Sequence, residues 1–233
     1  MYAYLMWCII LGITWAILFL HRKDLRYEMI FTTLFFLPFG LTQFLFVPQY
    51  WNPQVIHKFL GLFDLESLLF MAFTGGISSV IYQEIFNYRL RKSKQELAWR
   101  YHSYIIYSTI ILFTILLVLV KLFTTLSVLR TSLLFLLILT PYFLIARKDL
   151  LKASLLGALA FTAVYIISLL MIDFSFGGFV SREWTTDGLL GIYLLRIPLE
   201  EYLYALFFGM VGSIIFQEIK NVKLVRLRKK SVE

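Results

Sequence analysis

The chain has 233 residues, of which 60% are hydrophobic, 18% aromatic and 15% charged, with a mean hydropathy of +0.80. That composition excludes an ordinary soluble domain and places the protein in the lipid bilayer. The formal charge of +8 does not point to nucleic acid, because the basic residues lie between apolar runs and form no single patch.

Apolar runs near residues 2–20, 27–47, 65–86, 102–122, 126–146, 151–173 and 192–217 are each long enough to cross roughly 30 Å of hydrocarbon as a helix. None alternates with period two, so the expected fold is an all-α bundle of seven transmembrane helices and not a barrel. The first run begins at Tyr2 without a basic leader region or a small-residue cleavage site, and reads as a retained span. Alternate connections, beginning with Arg22, Lys23 and Arg26 and ending with the tail from Lys220 to Lys230, hold seventeen Lys and Arg residues. The opposite connections hold five: Lys58, Lys121, Arg130, Arg182 and Arg196. By the positive-inside rule this asymmetry puts the N-terminus outside the cell membrane and the C-terminus in the cytoplasm.

Arg22-Lys23-Asp24-Leu25 after the first span is echoed by Arg147-Lys148-Asp149-Leu150 after the fifth. A shift of 134 lays Leu65-Glu66 on Leu199-Glu200, Phe73 on Phe207, Gly75 on Gly209 and Gln83-Glu84-Ile85 on Gln217-Glu218-Ile219. Eleven of the 23 positions from Leu65 to Asn87 are identical under it. Residues 1–88 and 126–220 therefore read as two three-helix repeats. Residues 89–125 supply a basic cytoplasmic loop and a linker helix, and 221–233 a basic tail. Four spans separate corresponding helices, so the repeats run parallel, with Glu66 and Glu200 entering the membrane at matching depths. Two connections on the outer side are irregular. One, from Val47 to Gly61, has Pro48, Pro53 and the aromatic residues Tyr50 and Trp51, suited to the membrane interface. The other, from Asp173 to Gly191, has Gly177-Gly178, Trp184 and Asp187-Gly188, and such loops can cap a cavity.

Acids entering a membrane helix are costly, and they tend to face a bundle interior or a cavity. Glu200 and Glu201 open the last span behind Pro198. Capping the helix dipole accounts for one of them, but neighbours about 100° apart on a helix do not both serve that end. In the first half, Glu66 is a comparable acid and Asp64 suits an N-cap. Asp173, ending the sixth span, reads as either a loop cap or a further acid of the same site. Gln83-Glu84 and Gln217-Glu218, at the opposite helix ends beside basic residues, read as interfacial ion pairs. Phe70, Phe73, Tyr204, Phe207 and Phe208 lie within two turns of the acids, where aromatic faces can stabilise a cation. The single cysteine, Cys8, excludes an internal disulfide, the three histidines (His21, His57 and His102) are scattered, and no glycine-rich phosphate loop is present. No metal or other cofactor is expected.

The paired glutamates do not match the intramembrane proteases with a similar motif, since Ala205 stands where those carry arginine and no histidine follows His102. The order Asp173, Trp184, Gly191, Pro198-Leu199-Glu200-Glu201, with aromatics at Tyr204, Phe207 and Phe208, resembles the lycopene cyclase domain of the two-subunit bacterial type and its fused archaeal and fungal relatives. The duplicated architecture extends that resemblance over nearly the whole chain. It implies cyclisation of the acyclic ψ end groups of a lipophilic carotenoid such as lycopene, without a redox cofactor. It also implies a catalytic role for Glu200 and Glu201 and, through the repeat, for Glu66, with Glu200 as proton donor and Glu201 tuning it or accepting the later proton. Trp184 and Asp173 join the aromatic residues as substrate contacts. Asp64 and Ser67 stand where the second half has Pro198 and Glu201, so the halves are expected to form one unequal site. A carotenoid carrier and an end-group hydratase are the competing readings; the carrier is disfavoured because the acids lie near helix ends and the spans lack paired Gly/Pro breaks. On the cyclase reading, Glu200→Gln abolishes product in a lycopene-accumulating host while the protein stays in the membrane.

Overall fold

The computed structural model describes residues 2–56, 58–60, 63–92, 97–185 and 189–226. His57, Gly61, Lys94, Asp187-Gly188 and the tail beyond Arg226 lie outside them. Among the described residues, seven helical stretches are long and apolar enough to cross a membrane. Inside hydrocarbon a backbone N–H has no water to turn to, so apolar runs of this length close their hydrogen bonds within the helix. The spans are α1 (Ala3–His21), α2 (Arg26–Phe36) with its continuation, α4 (Leu65–Phe86), α5 (Leu97–Phe123), α6 (Val128–Ala146), α7 (Leu151–Ser175) and α9 (Leu199–Lys220). The chain is thus a multi-pass, all-helical membrane protein.

Two spans depart from the sequence expectation. The second is not one α-helix: after Phe36 it tightens into a 3₁₀ segment, Leu37–Thr42, and ends in the short α3 (Gln43–Phe46). Pro38 removes an N–H from the ladder there. Gly40 lets the segment lie directly on α4, since a Cβ at that position would come within 2.6 Å of the Ser67 carbonyl oxygen and the Leu68 Cα. The last span begins at Leu199 and not near residue 192. The apolar residues before it form a hairpin, β4 (Tyr193–Leu194) against β5 (Ile197–Pro198), turned by Leu195 and Arg196, both with positive φ. A comparable hairpin, β1 (Lys58–Phe59) against β2 (Phe63–Asp64), precedes α4. Asp64 also caps α4 as expected, its Oδ1 accepting the Ser67 N–H at 2.6 Å.

Helices α4 and α9 are the most buried spans and α5 the least. Helix α7 packs along α9, while α1 and α2 pack along α4. The α7–α9 approach depends on Gly209, where a Cβ would lie 2.9 Å from the Ala158 Cα.

At the end of the bundle away from the hairpins, contacts recur in matching form. Arg22 ion-pairs with Asp24 and donates to the carbonyls of Gln83 (2.8 Å) and Tyr88 (2.7 Å). Arg147 ion-pairs with Asp149 and donates to those of Gln217 (3.3 Å) and Val222 (2.9 Å). Left-handed Asn87 and Asn221 stop α4 and α9, and the strands that follow, β3 (Tyr88–Lys92) and β6 (Val222–Arg226), pair antiparallel with Leu90 opposite Leu224. Between the helix ends sits Glu28, fully buried, its carboxylate accepting Nε2 of Gln83 at 2.9 and 3.0 Å and Nε2 of Gln217 at 2.7 Å. Here Glu84 does pair ionically, with His21 and Arg22, whereas the two glutamines turn inward onto an acid of α2.

Replacing Gly209 by valine forces α7 and α9 apart; overpacking of this kind costs about 1–3 kcal/mol. A lower melting temperature in detergent is expected, with little change for Leu159→Val on the exposed face of α7.

Candidate functional site

Helix α9 starts right after the hairpin, so both acids fall in its first turn and diverge as a helix requires. Glu200 turns to the preceding loop, where its Oε1 accepts the Leu190 N–H at 2.5 Å. Glu66 does the same at the start of α4, accepting the Ile56 N–H at 2.8 Å. Both are buried, and both tie a connection to a helix.

Glu201 turns the other way, into the bundle, and three side chains meet it. Tyr50 Oη and Trp184 Nε1 both donate to its Oε1, the latter at 2.9 Å, and Tyr165 Oη donates to Oε2. Trp184 Nε1 also lies 3.0 Å from Tyr50 Oη. Burial first, and then the adjacent Glu201 carboxyl, push the Tyr50 phenol well above its ordinary value, so this residue stays a donor.

The donors are set in place by the two irregular connections. Residues Trp51 and Trp184 form a β-bridge, flanked by hydrogen bonds from Asn52 N to Glu183 O (2.7 Å) and from Thr185 N to Tyr50 O (2.9 Å). Trp184 follows the short α8 (Phe179–Glu183), which Gly177 and Gly178 enter with positive φ. Asp173 accepts the Val180 N–H at 2.8 Å and so fixes that turn.

Glu201 lies on the wall of a cavity of about 200 Å³. Around the acid the wall is aromatic, with Trp7, Phe70, Tyr165, Tyr204 and Phe208. Farther along, Phe35 and Phe39 of the second span, Ile110 and Phe113 of α5 and Leu136 of α6 continue it. On α9 the lining residues Glu201, Tyr204, Phe208, Val211 and Ile215 follow one helical face, and at 1.5 Å per residue they extend about 21 Å. Among the described residues Glu201 is the one acidic or basic side chain on this wall. Ser67, at the position related to Glu201 by the shift of 134, lines the same cavity and accepts Tyr4 Oη at 3.2 Å.

Of the residues singled out from the sequence, Glu201, Phe70, Tyr204, Phe208 and Trp184 come together at the cavity. Glu200, Glu66 and Asp173 bind loop backbone instead. Phe207 faces a separate apolar cleft between α6, α7 and α9, and Phe73 packs on Gly12 and Trp15. Sequence reasoning missed Tyr165 and Trp7 as cavity residues and took Tyr50 and Trp51 for interfacial aromatics, whereas both are buried. One signal for Tyr50 was present: the shift of 134 lays it on Trp184.

Residues 127–219 match the family model for lycopene cyclase. This stretch runs from α6 through nearly all of α9 and includes Tyr165, Trp184, Glu200 and Glu201. No curated protein sequence and no solved structure matches the chain.

The different placements of the neighbouring acids can be separated by amide exchange. An intramolecular hydrogen bond contributes about 0.5–1.5 kcal/mol, which on loss corresponds to roughly 2- to 10-fold faster local opening. Glu200→Ala is expected to speed exchange at Leu190 and Glu66→Ala at Ile56, while Glu201→Gln leaves both amides unchanged.

Proposed function

We propose that the protein is a carotenoid cyclase that converts acyclic ψ end groups of a lycopene-type polyene into rings by proton transfer from Glu201. The family match supports a cyclase of carotenoid biosynthesis. The observation that carries the mechanism is Glu201 itself, the one carboxyl group on the cavity wall among the described residues, held by three donors beneath an aromatic lining. Glu201, in place of Glu200, is therefore the proton donor in this reading.

The steps follow from the site. Protonated Glu201 gives its proton to the terminal double bond, leaving a tertiary carbocation at the neighbouring carbon. The carboxylate left behind is met by Tyr50, Trp184 and Tyr165, donors already aimed at the atoms on which charge develops. The π electrons of the next suitably placed double bond attack the cation, forming the ring C–C bond and moving the positive charge into the ring. The faces of Trp7, Phe70, Tyr204 and Phe208 oppose that charge. Loss of a ring proton to the Glu201 carboxylate forms the ring double bond and restores the acid. Substrate and product are isomers and no electrons are gained or lost, which makes the enzyme an isomerase or intramolecular lyase. An apolar wall disfavours capture of the cation by water, the outcome a hydratase requires.

We further infer that residues 1–88 and 126–220 are two like halves running parallel. The support is the shared arginine–carbonyl contacts, the paired hairpins and the matching loop bonds of Glu66 and Glu200. Following the basic-residue asymmetry, the N-terminus and the acid face outward and the β3–β6 end faces the cytoplasm. Glu66, Glu200 and Asp173 act by holding the loops that deliver Tyr50 and Trp184.

In a lycopene-accumulating host, the unaltered chain should yield ringed pigment and Glu201→Gln none at equal protein level. Retained activity in Glu201→Gln defeats the assignment, and unchanged lycopene with the unaltered chain favours a carrier. Removing one donor to a developing oxyanion costs about 10²- to 10³-fold elsewhere. Tyr165→Phe is expected to lower the initial rate by about 10²-fold or less. Glu200→Gln, whose amide oxygen can still accept the Leu190 N–H, should keep measurable activity.

A further inference from the structure

The cavity combines one acid with a long axis. Position 67, the counterpart of 201, is a serine on the same wall, and Glu66 and Glu200 are engaged with loop N–H groups outside the lining. The two half-sequences thus converge on one acid and do not supply one acid each. Along α9 the wall extends about 21 Å from Glu201 to Ile215. A conjugated polyene is a stiff rod. With one end group against Glu201, its chain lies along this face and its other end is at or beyond Ile215, about 21 Å from Glu201. Glu28, the buried acid near that end, is engaged by Gln83 and Gln217 and is not on the cavity wall.

We propose, resting on the cyclase reading above, that each binding event cyclises one end group only and that the one-ring product is released before any second ring forms. The proton balance permits this without resetting the site. The proton Glu201 donates to the end group is matched by the ring proton its carboxylate takes back, so the acid ends the round as it began. The requirement for a second ring is mechanical: the molecule must leave and return with its other end first. The same channel then has to accept a finished ring at its far end.

The test is an isotope chase with the purified full-length chain in mixed lipid–detergent micelles. The reaction starts on an unlabelled acyclic polyene with two ψ ends, and excess carbon-13-labelled polyene is added during the first turnovers. The expected result is free unlabelled one-ring product before any two-ring product. Later formation of unlabelled two-ring product should fall in proportion to the excess. One-ring product that accumulates without further conversion agrees equally with the proposal. Unlabelled two-ring product that appears from the outset and is insensitive to the chase overturns it while leaving the cyclase reading intact. Absence of any ringed product from the unaltered chain overturns the cyclase reading itself, and this inference with it.

Discussion

A carboxyl group inside a helical bundle has to be met by hydrogen-bond donors, because burying it without them costs several kcal/mol. Glu28, Glu66, Glu200 and Glu201 are all buried, and each draws a different segment toward it: two glutamine side chains, the backbone at Ile56, the backbone at Leu190, and a trio of aromatic donors. The connections from Val47 and from Asp173 are therefore parts of the bundle's interior chemistry. Their mutual bridge at Trp51 and Trp184 places two of the three donors on one carboxyl oxygen.

The spans were legible because membrane crossing demands long apolar runs, and a run of that length has little alternative to a helix. The start of α9 was not legible for the same reason. Ile192, Tyr193, Leu194 and Leu195 are as apolar as a helix requires, and hydropathy carries no information about the positive φ of Leu195 and Arg196 that turns them into a hairpin. The bend after Phe36 had a local cause in Pro38, but the reason it is tolerated lies in Gly40 resting on α4, a contact between distant parts of the chain.

The site was half readable. Helical geometry separates Glu200 from Glu201, but which of them faces inward is decided by where the hairpin and Leu190 lie. The same holds for the aromatics: Phe207 and Phe208 are neighbours in sequence and face different cavities. Tyr165 is one of five hydroxyl side chains in a long apolar helix, with Ser154, Thr162, Ser168 and Ser175, and only the fold shows that it points at an acid 36 residues away.

The Glu28 clamp has a genetic consequence. One carboxylate serves Gln83 and Gln217 together, so a substitution at either glutamine alters what the other contributes, and effects at the two positions should not add. Helices α4 and α9, which carry a serine at 67 and a glutamate at 201 at one end, are thus held together at the other. Epistasis between residues 134 positions apart is the mark this leaves on any future sequence change.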